Sequence, residues 1–326
     1  MRPFDLVEPA TLDEAVTLLG ENEAARPIAG GTALLLMVKA GLFQPEALVS
    51  LRRLAADLTG IARQDDGSLR IGAMTSLHDV ATHALVRQRY PALAIAAGSV
   101  STPPLRRMGT LGGNLCLDTR CTYYDQNYHW RKSIDFCLKK DGAICWVAPN
   151  SPRCWAVSSS DTAPVAVALR ARLRLVSASG ERTVEAGEFF RDDGIDYLTR
   201  RADEILSAIE LTDHTGWRMT YEKLRRRGSF DFPILGVAAA VKMSDGIIED
   251  LRLVLGAVGS SPVDQSELAR PLVGTRPSRE AIASVAAAAY KGARPLDNTD
   301  LNYAWRKKMT RVYVERALAR VCDVDD

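Results

Sequence analysis

At 326 residues the chain exceeds the length at which one hydrophobic core stops growing, so two or three domains are expected. With 47% hydrophobic and 25% charged residues it is globular in composition, which excludes long disordered tracts, and a net charge of +2 gives no reason to expect a nucleic-acid partner. Acidic residues in Arg2-Pro3-Phe4-Asp5-Leu6-Val7-Glu8 stand where a signal peptide needs an apolar run, and no stretch approaches the roughly 20 apolar residues of a membrane span. The expectation is a soluble cytoplasmic protein whose thiols stay reduced.

Thr11-Leu12-Asp13-Glu14 is a capping box, with Glu14 placed to reach back to the Thr11 amide, and Leu12, Ala15, Val16 and Leu19 recur at helical spacing. A short amphipathic helix is predicted over 12–20. Arg26-Pro27-Ile28 reads as a strand running into Ala29-Gly30-Gly31-Thr32-Ala33-Leu34. Adjacent glycines let backbone amides approach a ligand, and consecutive N–H groups in such a turn form a nest for an anion such as phosphate. A lone Gly-Gly is more often a plain strand-to-helix turn.

Further strands are predicted at 47–51 and 68–73. Ser76 caps a helix, and Pro91 begins another through Ala92, Leu93, Ile95 and Ala96. Residues 99–109 read as a loop delivering the chain to a second Gly-Gly in Thr110-Leu111-Gly112-Gly113-Asn114. Two such turns can face opposite sides of one diphosphate.

Between Thr110 and Asp161 stand Cys116, Cys121, Cys137, Cys145 and Cys154, leaving only Cys322 outside. An even spread would put roughly one cysteine there, so the crowding asks for a chemical cause. The spacing lacks the close Cys-x-x-Cys pair that usually opens an iron-sulfur or zinc-ribbon site. Four thiolates nevertheless suit either tetrahedral zinc or a 4Fe-4S cubane, with scattered buried thiols and redox-active disulfides as the alternatives. Cys116, pinned to the glycine turn, and Cys322, near a helix end, read as buried thiols. His129 reads as an exposed or packed histidine. Tyr123, Tyr124, Tyr128, Trp130, Phe136, Trp146 and Trp155 read as the miniature core of an irregular loop. Arg131, Lys132, Lys139, Lys140 and Arg153 read as a solvated basic rim able to attract an acidic partner.

Past Asp161 a helix is predicted over 164–169 with Asp161 or Thr162 as cap, then a hairpin over 171–186 turning at Gly180, then a strand at 205–211. Thr212-Asp213-His214-Thr215-Gly216 reads as a linker. The last segment reads as strands at 218–226, 234–243 and 250–258, then helices starting at Ser278 and Asp300, an α+β pattern.

Both glycine turns and their neighbours resemble the FAD-binding subunit of the molybdenum hydroxylases, the xanthine dehydrogenase and carbon monoxide dehydrogenase family. Pro27-Ile28-Ala29-Gly30-Gly31-Thr32-Ala33-Leu34 is similar to its first flavin-diphosphate loop and Thr110-Leu111-Gly112-Gly113-Asn114 to its second. Ser160-Asp161 resembles the place of its ribityl-binding aspartate. Glu204-Ile205-Leu206-Ser207 resembles the strand that sets a leucine against the isoalloxazine. Lys223, Arg227 and Asp231 fit its Lys-x3-Arg-x3-Asp segment, whose lysine lies near the flavin ring. The resemblance covers nearly the whole chain, and Ala33 departs from it where many relatives carry a polar residue.

It implies an α+β fold, with a two-part FAD-binding region of the vanillyl-alcohol oxidase (PCMH) type at 1–58 and 59–211 and a C-terminal α+β domain at 212–326. FAD would be held by the two glycine loops with Asp161, Leu206 and Lys223. Asn114 and Asp161 are 47 positions apart, where the family's connection is short. The extra segment, about 117–157, resembles an insertion in the flavin subunits of 4-hydroxybenzoyl-CoA reductases that holds a 4Fe-4S cluster. That likeness runs through Leu115-Cys116-Leu117-Asp118-Thr119-Arg120-Cys121-Thr122 and Arg153-Cys154, and implies Cys121, Cys137, Cys145 and Cys154 as metal ligands.

The function implied is electron transfer from ferredoxin through 4Fe-4S and FAD to a small 2Fe-2S subunit and a large molybdopterin subunit, in a dimer of heterotrimers. The reaction there would be reductive dehydroxylation of 4-hydroxybenzoyl-CoA to benzoyl-CoA. No acid–base constellation for substrate chemistry is legible, so no catalytic residue is expected in this chain. Two alternatives stay open: an NAD-linked aromatic or heterocycle hydroxylase or dehydrogenase in which NAD reacts at the flavin, and an insertion that is a zinc-stapled, non-redox docking module.

Overall fold

The computed structural model describes residues 2–324 and arranges their strands in three sheets. The first is parallel, with order β1-β3-β2, from β1 (Asp5–Val7), β2 (Arg26–Ile28) and β3 (Ala47–Ser50). The helix Leu12–Glu21 crosses between β1 and β2 and buries Ala15, Val16 and Leu19 beside Val49, Leu54 and Leu58. Its capping box is present, but the Glu14 carboxylate accepts from the Ala10 amide at 2.7 Å instead of the Thr11 amide. Thr11 Oγ1 accepts from the Glu14 amide at 3.2 Å, as such a box requires.

The second sheet has order β4-β5-β8-β6-β7, all neighbours antiparallel. It contains β4 (Ile61–Arg63), β5 (Leu69–Gly72), β6 (Arg172–Ser177), β7 (Gly180–Glu185) and β8 (Ile205–Leu211). Strand alternation puts Leu173 and Leu175 inward while Arg172 faces water. Central β8 is covered on both faces: Ile205 joins the core under the first sheet, and Leu206, Ile209 and Leu211 join the main core.

The third sheet, order β12-β11-β10-β9, comprises β9 (Trp217–Leu224), β10 (Leu235–Ser244), β11 (Ile247–Gly256) and β12 (Val263–Asp264). On β10, Val237, Ala239 and Val241 pack with the helices Arg279–Gly292 and Tyr303–Cys322, and the alternate Ala238 and Ala240 share the core of the second sheet. Gly236 and Gly256 pair across β10 and β11. A Cβ on Gly256 would stand 3.0 Å from the Pro164 ring, and one on Gly236 would stand 2.6 Å from the Tyr221 hydroxyl. The glycine pair thus leaves the hollow in which the Asp161 turn seats against the third sheet.

Three local expectations change. Residues 99–109 hold a helix, Pro103–Met108, because proline at the first helical position pre-sets the backbone instead of breaking it. The last helix starts at Tyr303, where Asn302 Oδ1 accepts from the Ala304 and Trp305 amides, and not at Asp300. The helix Thr162–Ala168 takes no side-chain cap from Asp161. Ser160 Oγ accepts from the Ala163 amide at 3.0 Å and Asn114 Oδ1 from the Thr162 amide at 3.2 Å. Among the described residues no helix is long and apolar enough to cross a membrane.

Candidate cofactor site

Strand β2 ends at Ile28 and turns through Gly31, whose φ of +68° lies in the left-handed region that glycine adopts without strain. Residues 26–35 are all half-buried, so the turn borders an open face of the molecule. No amide of residues 30–33 donates to a protein acceptor among the described residues, which leaves a short row of N–H groups for an anion. A Cβ on Gly30 would collide with the Met108 carbonyl, and one on Gly109 would stand 3.4 Å from Thr32 Oγ1. The first glycine loop and the approach to the second are therefore in direct backbone contact.

The second turn is differently built. Thr110 caps the helix Leu111–Leu115, and its Oγ1 accepts from the Gly113 amide at 3.1 Å. The amides of Leu111, Gly112 and Asn114 donate to Thr75, Ala73 and Thr110 carbonyls. Gly112 is required by packing, since its Cβ would stand 2.7 Å from Ala73 Cβ. Asn114 Oδ1 accepts from Ser160 Oγ (2.9 Å), Thr162 Oγ1 (2.7 Å) and the Thr162 amide. Most donors that the sequence offered to a diphosphate here are spent inside the protein, and exposed Gly113 remains the approachable part of the turn. Leu206 is joined to it indirectly: Ser207 accepts from the Ala73 amide at 2.9 Å, and Leu206 itself is buried, 6% exposed.

Asp161 and Lys223 meet in a buried ion pair at 2.9 Å, with side chains 3% and 4% exposed. Lys223 Nζ also donates to the Ser99 carbonyl (3.0 Å) and the Asp231 carbonyl (2.9 Å), so each of its three protons has an acceptor. The other Asp161 oxygen accepts from the Tyr221 hydroxyl at 2.8 Å. Burial raises the Asp161 carboxyl above its usual range, opposed by Lys223, and burial lowers the Lys223 ammonium, opposed by Asp161. Burial and the Asp161 charge push the Tyr221 phenol up, which keeps it a donor. Sequence reasoning missed Tyr221, yet it lies two residues before Lys223 on one strand, and the period-2 rule puts both on one face. The Asp231 side chain accepts from the Arg226 and Arg227 amides, each at 3.0 Å, and closes the loop that follows Lys223.

The four cysteines singled out as ligands, Cys121, Cys137, Cys145 and Cys154, are 4–7% exposed and line one cavity with Tyr123, Tyr124, Leu138, Lys139, Trp146 and Val147. All are free thiols. The segment is pinned at its mouth by reciprocal Arg120–Val157 backbone bonds of 2.9 and 2.7 Å. It is tied to the C-terminal region where the Thr122 amide donates to the Asn298 carbonyl and Asn298 Nδ2 donates to Trp155 O at 2.7 Å. Around Cys137 the chain turns tightly, with Asp135, Phe136 and Asp141 at positive φ and Gly142 where a Cβ would stand 2.7 Å from the Cys137 amide nitrogen. Among the described residues no three His, Cys, Asp or Glu side chains are drawn close enough to hold a metal ion.

Cys145 and Cys154 titrate together: Cys154 holds the Cys145 thiol below its usual range, and Cys145 with burial pushes Cys154 up. Burial pushes Cys121 up to about 12. Cys116, half-buried beside the second glycine turn, and Cys322, in the C-terminal core, stand apart from the cavity. His129 is exposed.

Two readings of this segment are corrected. Of the aromatics expected to form the local core, Tyr124 is in it and Tyr123 packs against it, while Tyr128, Trp130 and Trp146 are 52%, 37% and 36% exposed; the rest of that core is Leu42, Cys121, Cys137, Cys154 and Ala156. Arg131 and Lys139 are not rim residues: the first is fully buried, and the second is buried against Asp118 at 2.7 Å.

Residues 2–212 match the family described as the FAD binding domain in molybdopterin dehydrogenase, and residues 219–321 match the CO dehydrogenase flavoprotein C-terminal domain. The chain is 26% identical over 318 residues, 98% of each chain, to the glyceraldehyde dehydrogenase medium chain of Sulfolobus acidocaldarius. It is 31% identical over 274 residues, covering 80% of this chain and 83% of the other, to the aldehyde oxidoreductase FAD-binding subunit PaoB of Escherichia coli. Among solved structures it is similar to carbon monoxide dehydrogenase of Hydrogenophaga pseudoflava, with a TM-score of 0.80, 27% identity and 98% of each chain covered.

Proposed function

We propose a function from one premise: the chain belongs to the FAD-binding family of the molybdopterin dehydrogenases, and is the FAD-binding medium subunit of a molybdenum hydroxylase-family complex. We read the complex as one that reductively removes the phenolic hydroxyl of 4-hydroxybenzoyl-CoA to give benzoyl-CoA in a partner subunit. This chain supplies binding sites for FAD and a 4Fe-4S cluster, the groups that carry electrons there. Its partners on this reading are a large molybdopterin subunit, a small 2Fe-2S subunit and a ferredoxin-type donor, assembled as a dimer of heterotrimers in the cytoplasm.

The observation that carries the reading is the convergence of Cys121, Cys137, Cys145 and Cys154 on one cavity while Cys116 and Cys322 stay out of it. Bound FAD takes electrons singly or in pairs and a cubane cluster takes them singly, which is the chemistry the two groups supply. A cubane offers four irons at separate corners, one per thiolate, so its ligands stand farther apart than the four sulfurs of a single zinc. That suits thiols ringing a cavity without a tight metal-binding group. Metal binding also removes the difficulty of holding four buried thiolates together, since a coordinated thiol is deprotonated outright.

For FAD, the free amides of residues 30–33 offer donors to the diphosphate, and Gly113 gives it backbone to pack on. The Asp161–Tyr221–Lys223 group places a carboxylate and an ammonium together at the Asp161 turn. The relatives named act, by their names, on glyceraldehyde, other aldehydes and carbon monoxide, so this fold serves several substrates. The cysteine insertion is the feature by which this chain resembles the reductases. A Cys137→Ser chain should keep its FAD and lose its cluster iron and sulfide. Full retention of both, or zinc in place of iron in the unmodified protein, contradicts the assignment.

A further inference from the structure

We propose that Lys139 is a built-in electrostatic tuning residue for the cysteine-ligated centre: its buried ammonium favours the reduced state of that centre, and Asp118 behind it moderates the effect. The inference rests on the reading that Cys121, Cys137, Cys145 and Cys154 hold an iron-sulfur cluster.

The Lys139 side chain is only 6% exposed and lines the cavity together with the four cysteines. Its ammonium donates to Asp118 Oδ1 at 2.7 Å, Thr119 Oγ1 at 2.6 Å and the Gly194 carbonyl at 2.6 Å, which accounts for all three protons. The Tyr124 and Tyr197 rings lie 4.8 and 5.3 Å from the nitrogen. The position is locked. Thr119 Oγ1 also donates to the Gly194 carbonyl at 2.5 Å, and the Gly194 amide donates to the Cys154 carbonyl at 2.9 Å. A Cβ on Gly194 would stand 2.6 Å from Cys154 Sγ, so the residue that anchors the ammonium is packed against a ligand sulfur. Asp118 does not line the cavity, and its second oxygen accepts from the Tyr124 hydroxyl at 3.1 Å. The pair is therefore a dipole with its positive end toward the thiols.

Stability alone gives poor reason to bury such a pair, because removing two charges from water costs several kcal/mol per ion and apolar residues of similar volume often serve as well. A cluster ligated by four thiolates becomes more negative by one charge when reduced. A fixed cation in a poorly screened interior stabilises that state more than the oxidised one. Arg120, Arg131 and Arg153 are also paired, with Asp125, Asp141 and Asp192, but none of the three lines the cavity. Among the cavity-lining residues Lys139 is the cation.

The test is an EPR-monitored redox titration of the assembled complex, with iron and sulfide measured on each preparation. Lys139→Met should keep its iron and move the cluster midpoint to more negative potential. Asp118→Asn should move it to more positive potential, and Lys139→Arg should stay near the parent. Opposite shifts are the signature, since a merely structural pair would move both variants the same way or neither. A full cluster with an unchanged midpoint in Lys139→Met overturns the proposal. If that variant does not fold, Asp118→Asn decides alone, and no positive shift there overturns it. Absence of a cluster signal in the parent protein overturns the underlying reading as well.

Discussion

At the scale of residues, the chemistry of the site depends on side chains whose partners are remote in sequence. Tyr221 donates to Asp161 across 60 positions, and Asn114 caps a helix 48 positions away. The sequence presents Asn114 as part of a glycine motif, and marks Tyr221 only through its place two residues before Lys223 on one strand. The cysteines were easier to find because crowding alone marks them. Tyr221→Phe should cost about 1–3 kcal/mol of stability, since it leaves one oxygen of a buried carboxylate without its donor; thermal unfolding of the FAD-loaded protein measures it.

His214 gives a pH prediction. It is buried, its Nδ1 bonds the Thr212 carbonyl at 2.8 Å, and its Nε2 faces Arg252 at 3.2 Å, an arrangement that suits the neutral ring with Nε2 as acceptor. Burial lowers its pKa, so on acidification the unfolded chain takes up a proton that the folded chain refuses. Stability contributed by this histidine is full above about 6.5 and falls as pH drops from there to the lowered native value. His214→Gln should flatten that acid limb in a series of denaturant titrations, and an unchanged slope would count against the role.

At the scale of elements, most helices and strands fall where periodicity and capping put them, because those signals are local. The exceptions are instructive. A Pro-Pro pair opens a helix instead of breaking one, and Asn302 out-competes Asp300 as a cap. The two glycine loops look alike in sequence and differ in structure, one with free amides and the other with its donors spent. The difference predicts unequal effects of one added methyl group. Gly30→Ala must displace the Met108 carbonyl and part the loops, so FAD affinity should fall at least about tenfold, a change of about 1.4 kcal/mol. Gly113→Ala meets only the Thr110 hydroxyl, at 2.9 Å, and leaves the two loops in contact, so it should weaken FAD less than Gly30→Ala does. Flavin fluorescence titration of the two proteins compares them directly.

At the scale of the whole molecule, the three sheets are joined by small residues and by the insertion. Gly236 and Gly256 open the hollow against which the Asp161 turn rests, and the alternating alanines of β10 let two cores share one sheet. No local pattern announces such a docking surface, because a glycine's meaning depends on what approaches it. Asn298 ties the cysteine segment to the C-terminal region through Trp155, so Asn298→Ala should loosen it and hasten loss of the proposed cluster under chelation. The central claim is that four cysteines in one inserted segment grip iron and sulfide beside a flavin. The most direct measurement is metal and sulfide analysis with EPR of the dithionite-reduced chain, purified without oxygen. The account predicts about four irons and four sulfides per chain and a reduced-cluster signal; zinc, or no metal at all, contradicts it.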